Sequence, residues 1–196
     1  APGEPGVPGN GAKAQRKHRR NHTAQHLGAE IVPARLHHHR KQLQPKAQKI
    51  LNEIVLSKGS HSAMPEIEVY CNDEEVGKYF SDGLICATPT GSTAYSFSAG
   101  GPVIDPTAEI ISVTPLCPHT LLRGSVLLAP TTEITVFGKT RDLAMTDIHI
   151  TMDGKNSRLI SKDAKIHIKK SEYIARIVKI GTNRFYDILE TKLNRK

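Results

Sequence analysis

The stretch CATPTGSTAYSFSAGGP, residues 86–102, decides how the rest of the chain is interpreted. It is small, rich in hydroxyl groups and dotted with glycine. Pro89 ends the preceding apolar strand, because its ring fixes φ and biases Thr88 toward an extended backbone. Gly91 permits a turn conformation that other residues adopt only at a cost. The sequence therefore predicts a strand that breaks sharply into a polar turn.

A short helix is predicted directly after this turn, over residues 93–99, with Ser92 and Thr93 as N-cap candidates. A strand, a tight turn and a helix start together present backbone N–H groups and hydroxyls to a polar ligand. The stretch has neither a P-loop lysine nor GxGxxG. An ordinary capped helix after a strand explains the same pattern, and the residues alone leave both interpretations open.

Short strands surround this stretch on both sides. The candidate strands are LNEIVLS (51–57), EIEVYCN (66–72), EVGKYF (75–80), LICAT (84–88), IISVT (110–114), VLLA (126–129), EITVF (133–137), DIHITM (147–152), KNSRLI (155–160), AKIHIKK (164–170) and EYIARIVKIG (172–181). Turn residues separate them and predict two hairpins. Asn72-Asp73-Glu74 connects EIEVYCN to EVGKYF, and the favoured pair Asp153-Gly154 connects DIHITM to KNSRLI. RFYDILETKL (184–193) has helical spacing. The pattern predicts a mainly β, antiparallel, sandwich-like domain with short helices.

The first 50 residues have a different composition from the rest of the chain. They hold ten Lys and Arg against two acidic residues, and they contain no Phe, Tyr or Trp. The whole net charge of +8 lies there. Such a segment cannot bury enough apolar surface to offset the entropy of ordering it. We expect residues 1–49 to form a basic, disordered arm and residues 50–196 to form the folded domain.

Three interpretations of this arm stay open. Its basic residues could meet nucleic-acid phosphates, although charge runs are usually just solvated, and we favour a solvated tail. Pro-, Arg- and His-rich text without aromatics is also typical of translation in a shifted reading frame. The adjacent residues His37–His39 do not define a metal site.

The lengths of the apolar runs and the spacing of the cysteines predict a cytoplasmic location. No apolar run approaches the roughly 18 residues that would span a membrane. No apolar segment follows a basic start, so we expect no secretory signal. The three cysteines are widely spaced and form no CxxC, which favours reduced thiols.

Four segments in order resemble the NAD kinase family. DGLICATPTGSTAYSFSAGGPVI (82–104) resembles its glycine-rich signature, and LNE (51–53) resembles its Asn-Glu/Asp element. VTPLCPHTL (113–121) and ITMDG (150–154) resemble two further stretches. The resemblance covers about 51–196 and implies the family's C-terminal, β-rich, NAD-binding domain.

The family's N-terminal half has no counterpart in this sequence. Family members resemble diacylglycerol kinases and phosphofructokinases in carrying Gly-Gly-Asp-Gly-Thr, whose Asp is taken to activate the acceptor hydroxyl. That motif does not occur here. We therefore assign no catalytic residue and no metal ligand, and we expect the chain alone to be inactive. The alternative is a non-catalytic dinucleotide-binding or assembly module with a partner-binding basic arm.

The resemblance implies a reaction and its participants. A nucleoside triphosphate or polyphosphate, with Mg²⁺ or another divalent cation, phosphorylates the 2′-hydroxyl on the adenosine ribose of NAD to give NADP. Such chemistry depends on positioning and charge neutralisation. The resemblance also implies a homo-oligomer, which exposed strand edges would favour.

The resemblance further implies roles for individual residues. Asn52 and Glu53 would bind ribose hydroxyls, a task that an amide and a carboxylate suit. Asp82 would hold the nicotinamide half, although an Asp before glycine also simply forms turns. The remaining residues of the implied NAD pocket are Thr93, Ala94, Tyr95 and Ser98.

Purely structural roles are alternatives for Tyr95 and for Asp153. Core packing explains Tyr95 as well as base stacking does. Asp153 is most simply a hairpin-turn residue.

Asp82 and the turn at 89–93 flank a buried strand of about five residues, roughly 17 Å long. We therefore expect them to contact opposite parts of one extended ligand.

Overall fold

Two six-stranded antiparallel sheets form the structure, a computed structural model that describes residues 20–32, 48–60, 63–121, 123–139, 147–160, 164–179 and 184–193. In chain order the strands are β1 (Arg20–Val32), β2 (Gln48–Ile50), β3 (Glu53–Lys58), β4 (Glu66–Cys71), β5 (Glu74–Phe80), β6 (Gly83–Ala87), β7 (Ile111–Leu116), β8 (Val126–Leu128), β9 (Ile134–Lys139), β10 (Ile148–Met152), β11 (Lys155–Ile160) and β12 (Lys165–Lys179). The helices are α1 (Tyr95–Ser98) and α2 (Phe185–Leu193). The expected mainly β, antiparallel class with short helices is confirmed.

Each sheet combines hairpins of consecutive strands with pairs of strands that are distant in the chain. The first sheet runs β2-β1-β12-β9-β4-β5, and the second runs β11-β10-β3-β6-β7-β8. Residues with φ > 0 make the turns of the β4–β5 and β10–β11 hairpins: Asn72, Asp73, Asp153 and Gly154. This is the backbone geometry that tight hairpins require, so both predicted hairpins are confirmed.

The core lies between the sheets because apolar residues alternate along the strands. In β10, Ile148 and Ile150 are buried while His149 is less so, and β9 buries Ile134 and Val136 in the same rhythm. Strand β6 is buried on both faces. Its Cys86 points into the main core, whereas the other face packs in a smaller apolar cluster.

The three cysteines are free and differ in their access to solvent. Cys86 is buried, Cys71 is half-buried and Cys117 is exposed. Burial raises the pKa of the Cys86 thiol to about 12. This thiol therefore stays protonated. Because the thiolate is the nucleophilic form of cysteine, Cys86 is unreactive while it is buried.

A buried carboxylate on the first sheet is held by two cations. Glu68 of β4 is almost completely buried, and the amines of Lys139 and Lys78 lie 2.6 and 3.4 Å from its Oε1. Burial alone would raise the pKa of Glu68, but the hydrogen bonds and charges of the two lysines hold it below its usual value.

Part of the expected arm differs from our expectation. Residues 20–32 form strand β1, which pairs with β2, and its Ala24 and Leu27 are buried. Pairing with neighbouring strands satisfies the backbone, so a segment without aromatic residues can still form a strand. Residues 1–19 and 33–47, including His37–His39, lie outside the described residues. The boundary at 49–50 stays a prediction.

The chain divides into two compact units. The larger is His22–Ile177, and the smaller contains α2. Helix α2 lies within residues 184–193, so the helix predicted there is confirmed. Within the described part of the chain, no helix is long and apolar enough to cross a membrane.

Candidate functional site

Three segments converge at one end of the second sheet. Strands β3 and β6 run antiparallel with Glu53 opposite Ala87, so the start of β3 lies beside the end of β6. On the other side of β3, β10 pairs through Met152 opposite Ile54. The turn after β6, the Asn52-Glu53 pair and the β10–β11 turn are thereby brought together.

Thr88 fastens the turn after β6 to the start of β3. Its N–H donates to the Asn52 carbonyl at 2.9 Å, and its hydroxyl donates to the Leu51 carbonyl at 2.7 Å. The same Oγ1 accepts the N–H of Gly91 at 3.0 Å. Sequence analysis identified Thr88 only as the residue before proline, so its hydrogen bonds to Leu51, Asn52 and Gly91 were missed.

Gly91 is needed here for close approach. Its φ is not positive, unlike that of Gly100. A Cβ at position 91 would lie 2.7 Å from the Cα of Asn52 and closer still to the carbonyl group of that residue. The turn can press against the Asn52 backbone because residue 91 has no side chain. Our expectation of a special turn conformation was therefore wrong in its physical reason.

The predicted side-chain caps are also wrong. A 3₁₀ turn spans Gly91–Thr93 and α1 follows it, and neither has a side-chain cap. Ser92 is buried instead, where its hydroxyl donates to the Pro89 carbonyl at 2.7 Å and accepts the Ile104 N–H at 3.1 Å. The returning chain supplies a partner that local sequence does not reveal.

Glu53 is the most unusual carboxylate of this region. Its side chain is buried, and the backbone N–H of Tyr95 lies near it. Burial raises the pKa of Glu53, the charge of Asp153 raises it further, and the Tyr95 N–H opposes both. Among the described residues, its Oε2 has no hydrogen-bond partner. A buried acceptor without a partner is costly, and a donor such as a ligand hydroxyl would satisfy it.

The other residues of the implied NAD pocket follow the turn along the chain. Tyr95 is 48% exposed, so the alternative that it packs in the core is wrong. Thr93 and Ala94 are half-buried and link Gly91 to Tyr95, while Ser98 is exposed at the end of α1. Residues 93–98 thus continue the chain from Gly91, which lies against the Asn52 backbone, and Tyr95 has its backbone N–H near Glu53.

Asp82 lies at the opposite end of β6. Its carboxylate Oδ1 is 2.9 Å from the Lys58 amine, and its N–H donates to the Leu116 carbonyl at 2.9 Å. Because Ser57 pairs with Gly83, Asp82 sits beside the far end of β3. The structure therefore separates Asp82 from Glu53 by the length of β6, about 17 Å. It does not bring the two carboxylates together within this chain.

Asp153 was predicted only as a turn residue, and the structure gives it more contacts. Its carboxylate accepts the backbone N–H groups of Leu51, Asn52 and Glu53. The Asp-Gly pair predicts a hairpin from sequence, but only the pairing of β3 with β10 shows which amides the side chain meets. Among the described residues, no three His, Cys, Asp or Glu side chains group as metal ligands.

Comparisons with known proteins agree with this architecture. The family described as the ATP-NAD kinase C-terminal domain matches residues 51–180. The chain is 42% identical over 150 residues to the NAD kinase of Caldanaerobacter subterraneus subsp. tengcongensis, which covers 76% of this chain and 51% of that protein. It is 33% identical over 147 residues to the NAD kinase of Geobacter sulfurreducens, covering 75% and 51%.

Solved structures show the same fold. A yeast NADH kinase complexed with NADH superposes with a TM-score of 0.73 at 21% identity, covering 92% of this chain and 50% of that one. An Archaeoglobus fulgidus NAD kinase in complex with ATP gives 0.65 at 25% identity, covering 86% and 59%.

The chain belongs to the NAD kinase family and contains its C-terminal domain. It spans about half the length of the curated relatives it matches.

Proposed function

We propose that this chain is the NAD-binding half of an NAD kinase, which transfers a phosphoryl group to the 2′-hydroxyl of the adenosine ribose of NAD. Family membership supports the reaction class. The single observation that carries the binding role is the buried, unpartnered Oε2 of Glu53 beside Asn52. An acceptor in this position suits a ribose hydroxyl, because the hydroxyl donates one hydrogen bond and can accept another.

The individual binding roles follow from the same arrangement. Asn52 and Glu53 bind the ribose diol, and the exposed ring of Tyr95 is available to stack on a base. Asp82, one strand length away, holds the nicotinamide half. A ligand that reaches both ends of β6 must be extended, as a dinucleotide is. The other residues in the proposed pocket are Thr93, Ala94 and Ser98.

The phosphoryl donor is ATP or polyphosphate, and Mg²⁺ or another divalent cation accompanies it. The described residues offer no three-ligand cluster for a metal of their own. Mg²⁺ in phosphoryl-transfer sites is usually held by one or two carboxylates and the substrate phosphates. The residues of this chain bind and orient NAD.

The first experiment tests catalysis. The purified 196-residue chain should make no NADP from NAD, ATP and Mg²⁺, because the Gly-Gly-Asp-Gly-Thr motif is absent. A full-length family member is the positive control. Steady NADP formation above a mock purification would mean that a residue of this chain replaces the missing Asp.

The second experiment tests binding. NAD titrated calorimetrically into the chain should bind more weakly to Ser98→Ala and Asp82→Ala than to the wild type. Removal of a polar partner from a contact that the ligand buries costs roughly 1–3 kcal/mol. Equal binding by wild type and both variants would refute the pocket assignment.

A second candidate function is a non-catalytic dinucleotide-binding or assembly module. The Glu53 site alone could serve it, because binding of a ribose hydroxyl by the unpartnered Oε2 requires no phosphoryl donor. NAD binding without turnover, even after a kinase N-terminal half is added in trans, would support this alternative over the kinase.

We also propose a cytoplasmic homo-oligomer. Free cysteines at all three positions are typical of reducing compartments. The short edge strand β8 and the edge strand β11 expose Leu127 and Leu159, and such surfaces suit subunit contacts. Light scattering of the purified chain tests this, since a monomer at micromolar concentration would contradict it.

A further inference from the structure

The β10–β11 turn holds the start of β3 from two directions. The Asp153 carboxylate accepts the N–H of Leu51 on Oδ2 at 2.9 Å, and the N–H groups of Asn52 and Glu53 on Oδ1 at 2.7 and 3.3 Å. In return, the N–H of Asp153 donates to the Glu53 carbonyl at 3.0 Å. Three successive amides around one carboxylate fix the backbone immediately before and at the proposed ribose-binding pair.

A hairpin turn alone does not require this carboxylate. Asn adopts the positive φ observed at Asp153, 48°, at least as readily as Asp does. The Asp also carries an electrostatic cost, because its charge lies close enough to Glu53 to disfavour ionisation of that side chain. A neutral residue would make the turn without that repulsion. The contacts to the three amides are what the acid gains.

The β4–β5 hairpin provides the comparison within this chain. Its turn residues Asn72 and Asp73 also have positive φ, 50° and 66°. Asn72 exchanges backbone and side-chain hydrogen bonds with Glu133, which lies just before β9 of the first sheet. Asp73 is exposed. It is thus an aspartate in the same kind of turn, on the other sheet.

We infer that Asp153 is a positioning residue, which holds the Leu51–Glu53 backbone so that the Asn52 and Glu53 side chains face the ligand. The ligand part of this inference rests on the proposed function. The backbone part does not, since it follows from hydrogen bonds that exist without any ligand.

The test compares Asp153→Asn with the matched control Asp73→Asn in the 196-residue chain. Asn keeps the turn conformation but replaces one accepting oxygen with an NH₂ group, which faces an N–H donor. Hydrogen exchange of the Leu51 and Asn52 amides, followed by NMR, should accelerate about tenfold or more in Asp153→Asn and stay unchanged in Asp73→Asn. Unchanged exchange in both variants would overturn the inference.

A second measurement separates positioning from general stability. The pKa of Glu53, read from its carboxyl-carbon shift, should fall in Asp153→Asn because a neighbouring negative charge is gone. Global loosening that exposes Glu53 would lower this pKa too, because burial is the largest cause of its rise, but it would also accelerate exchange of core amides such as that of Ile85, which loss of positioning leaves unchanged. If Asp153→Asn does not fold, the wild type supplies the answer: the amide protons of Leu51 and Asn52 should shift together with ionisation of the Asp153 carboxyl. Amide protons that ignore this ionisation would overturn the inference.

NAD titration completes the test. Where the wild type binds NAD, the dissociation constant should rise about tenfold in Asp153→Asn and not in Asp73→Asn. An unchanged dissociation constant with accelerated amide exchange would overturn the ligand part and leave Asp153 a purely structural clamp. If the wild type does not bind NAD, the proposed binding function of this chain fails, while the exchange and pKa measurements still decide the backbone part.

Discussion

Replacement of Gly91 by alanine should be among the most damaging small changes in this chain. The added Cβ would lie 2.7 Å from the Cα of Asn52 and closer to its carbonyl carbon and oxygen. All three obstacles are backbone atoms, so no side-chain rotation relieves the overlap. The turn must retreat by about 1 Å, which also stretches the 2.9 Å hydrogen bond from the Thr88 N–H to the Asn52 carbonyl. Overpacking of this kind costs roughly 1–3 kcal/mol, and a weakened buried hydrogen bond adds about 1 kcal/mol.

Two other glycines calibrate the effect. A Cβ at Gly124 meets nothing within 4 Å, so Gly124→Ala should change the free energy of unfolding by less than about 1 kcal/mol. A Cβ at Gly138 meets only the side-chain tip of Ile148, which can move, so Gly138→Ala should fall between the two. We expect losses in the order Gly91, Gly138, Gly124.

The measurement is urea unfolding followed by circular dichroism, with NAD titration of each variant that folds. Gly91→Ala should lose roughly 2–4 kcal/mol of stability and bind NAD more weakly than the other two variants. The reasoning is refuted if Gly91→Ala and Gly124→Ala unfold at the same urea concentration with the same slope.

Three further substitutions, accompanied by two control variants, test the carboxylates and the first strand. Glu53→Gln should raise the stability above about pH 4.5. The pKa of Glu53 in the folded state is raised from 4.5, so ionisation of this buried acid costs the wild type stability as the pH rises through the interval between the two values. Unfolding curves at pH 4 and pH 7 check it, and equal effects at both would contradict it. Glu68→Gln should lower the stability at pH 7, with the deficit shrinking as the pH falls through the lowered pKa of Glu68. Glu133→Gln, which removes an exposed ion pair, is the control and should do little at either pH. Leu27→Ala should cost about 2–5 kcal/mol if β1 belongs to the core, whereas the exposed Leu159→Ala should cost much less; equal unfolding midpoints would remove β1 from the folded unit.

Turns, strand faces and the strand break at Pro89 depend on neighbouring residues, and these features were predicted from the sequence. The Asp153-Gly154 turn and the alternation of Ile148 and Ile150 are written in neighbouring residues, and both hairpins and strand faces were predicted correctly. The strand break at Pro89 was predicted for the same reason. The resemblance to a known family then supplied Asn52 and Glu53, which no periodicity singles out.

Long-range pairing is what the sequence alone did not show. Asp153 and Asn52 are about a hundred positions apart, and they meet only because β3 and β10 pair. The hydroxyl of Ser92 bonds a chain segment that returns twelve positions later, so its supposed cap was wrong. Segment 20–32 looked unable to fold by itself, and in the structure neighbouring strands supply its hydrogen bonds.

The unequal burial of the cysteines makes the chain its own reporter of sheet opening. Cys86 lies in β6, between β3 and β7, and its thiol is both buried and protonated. A thiol-specific alkylating reagent should therefore modify the exposed Cys117 at once, and Cys86 only during the moments when the strand that connects Asp82 to the polar turn separates from its neighbours. The rate of Cys86 alkylation, followed by mass spectrometry, thus measures how often this strand opens, and a bound dinucleotide that bridges both its ends should slow the labelling without touching the cysteine.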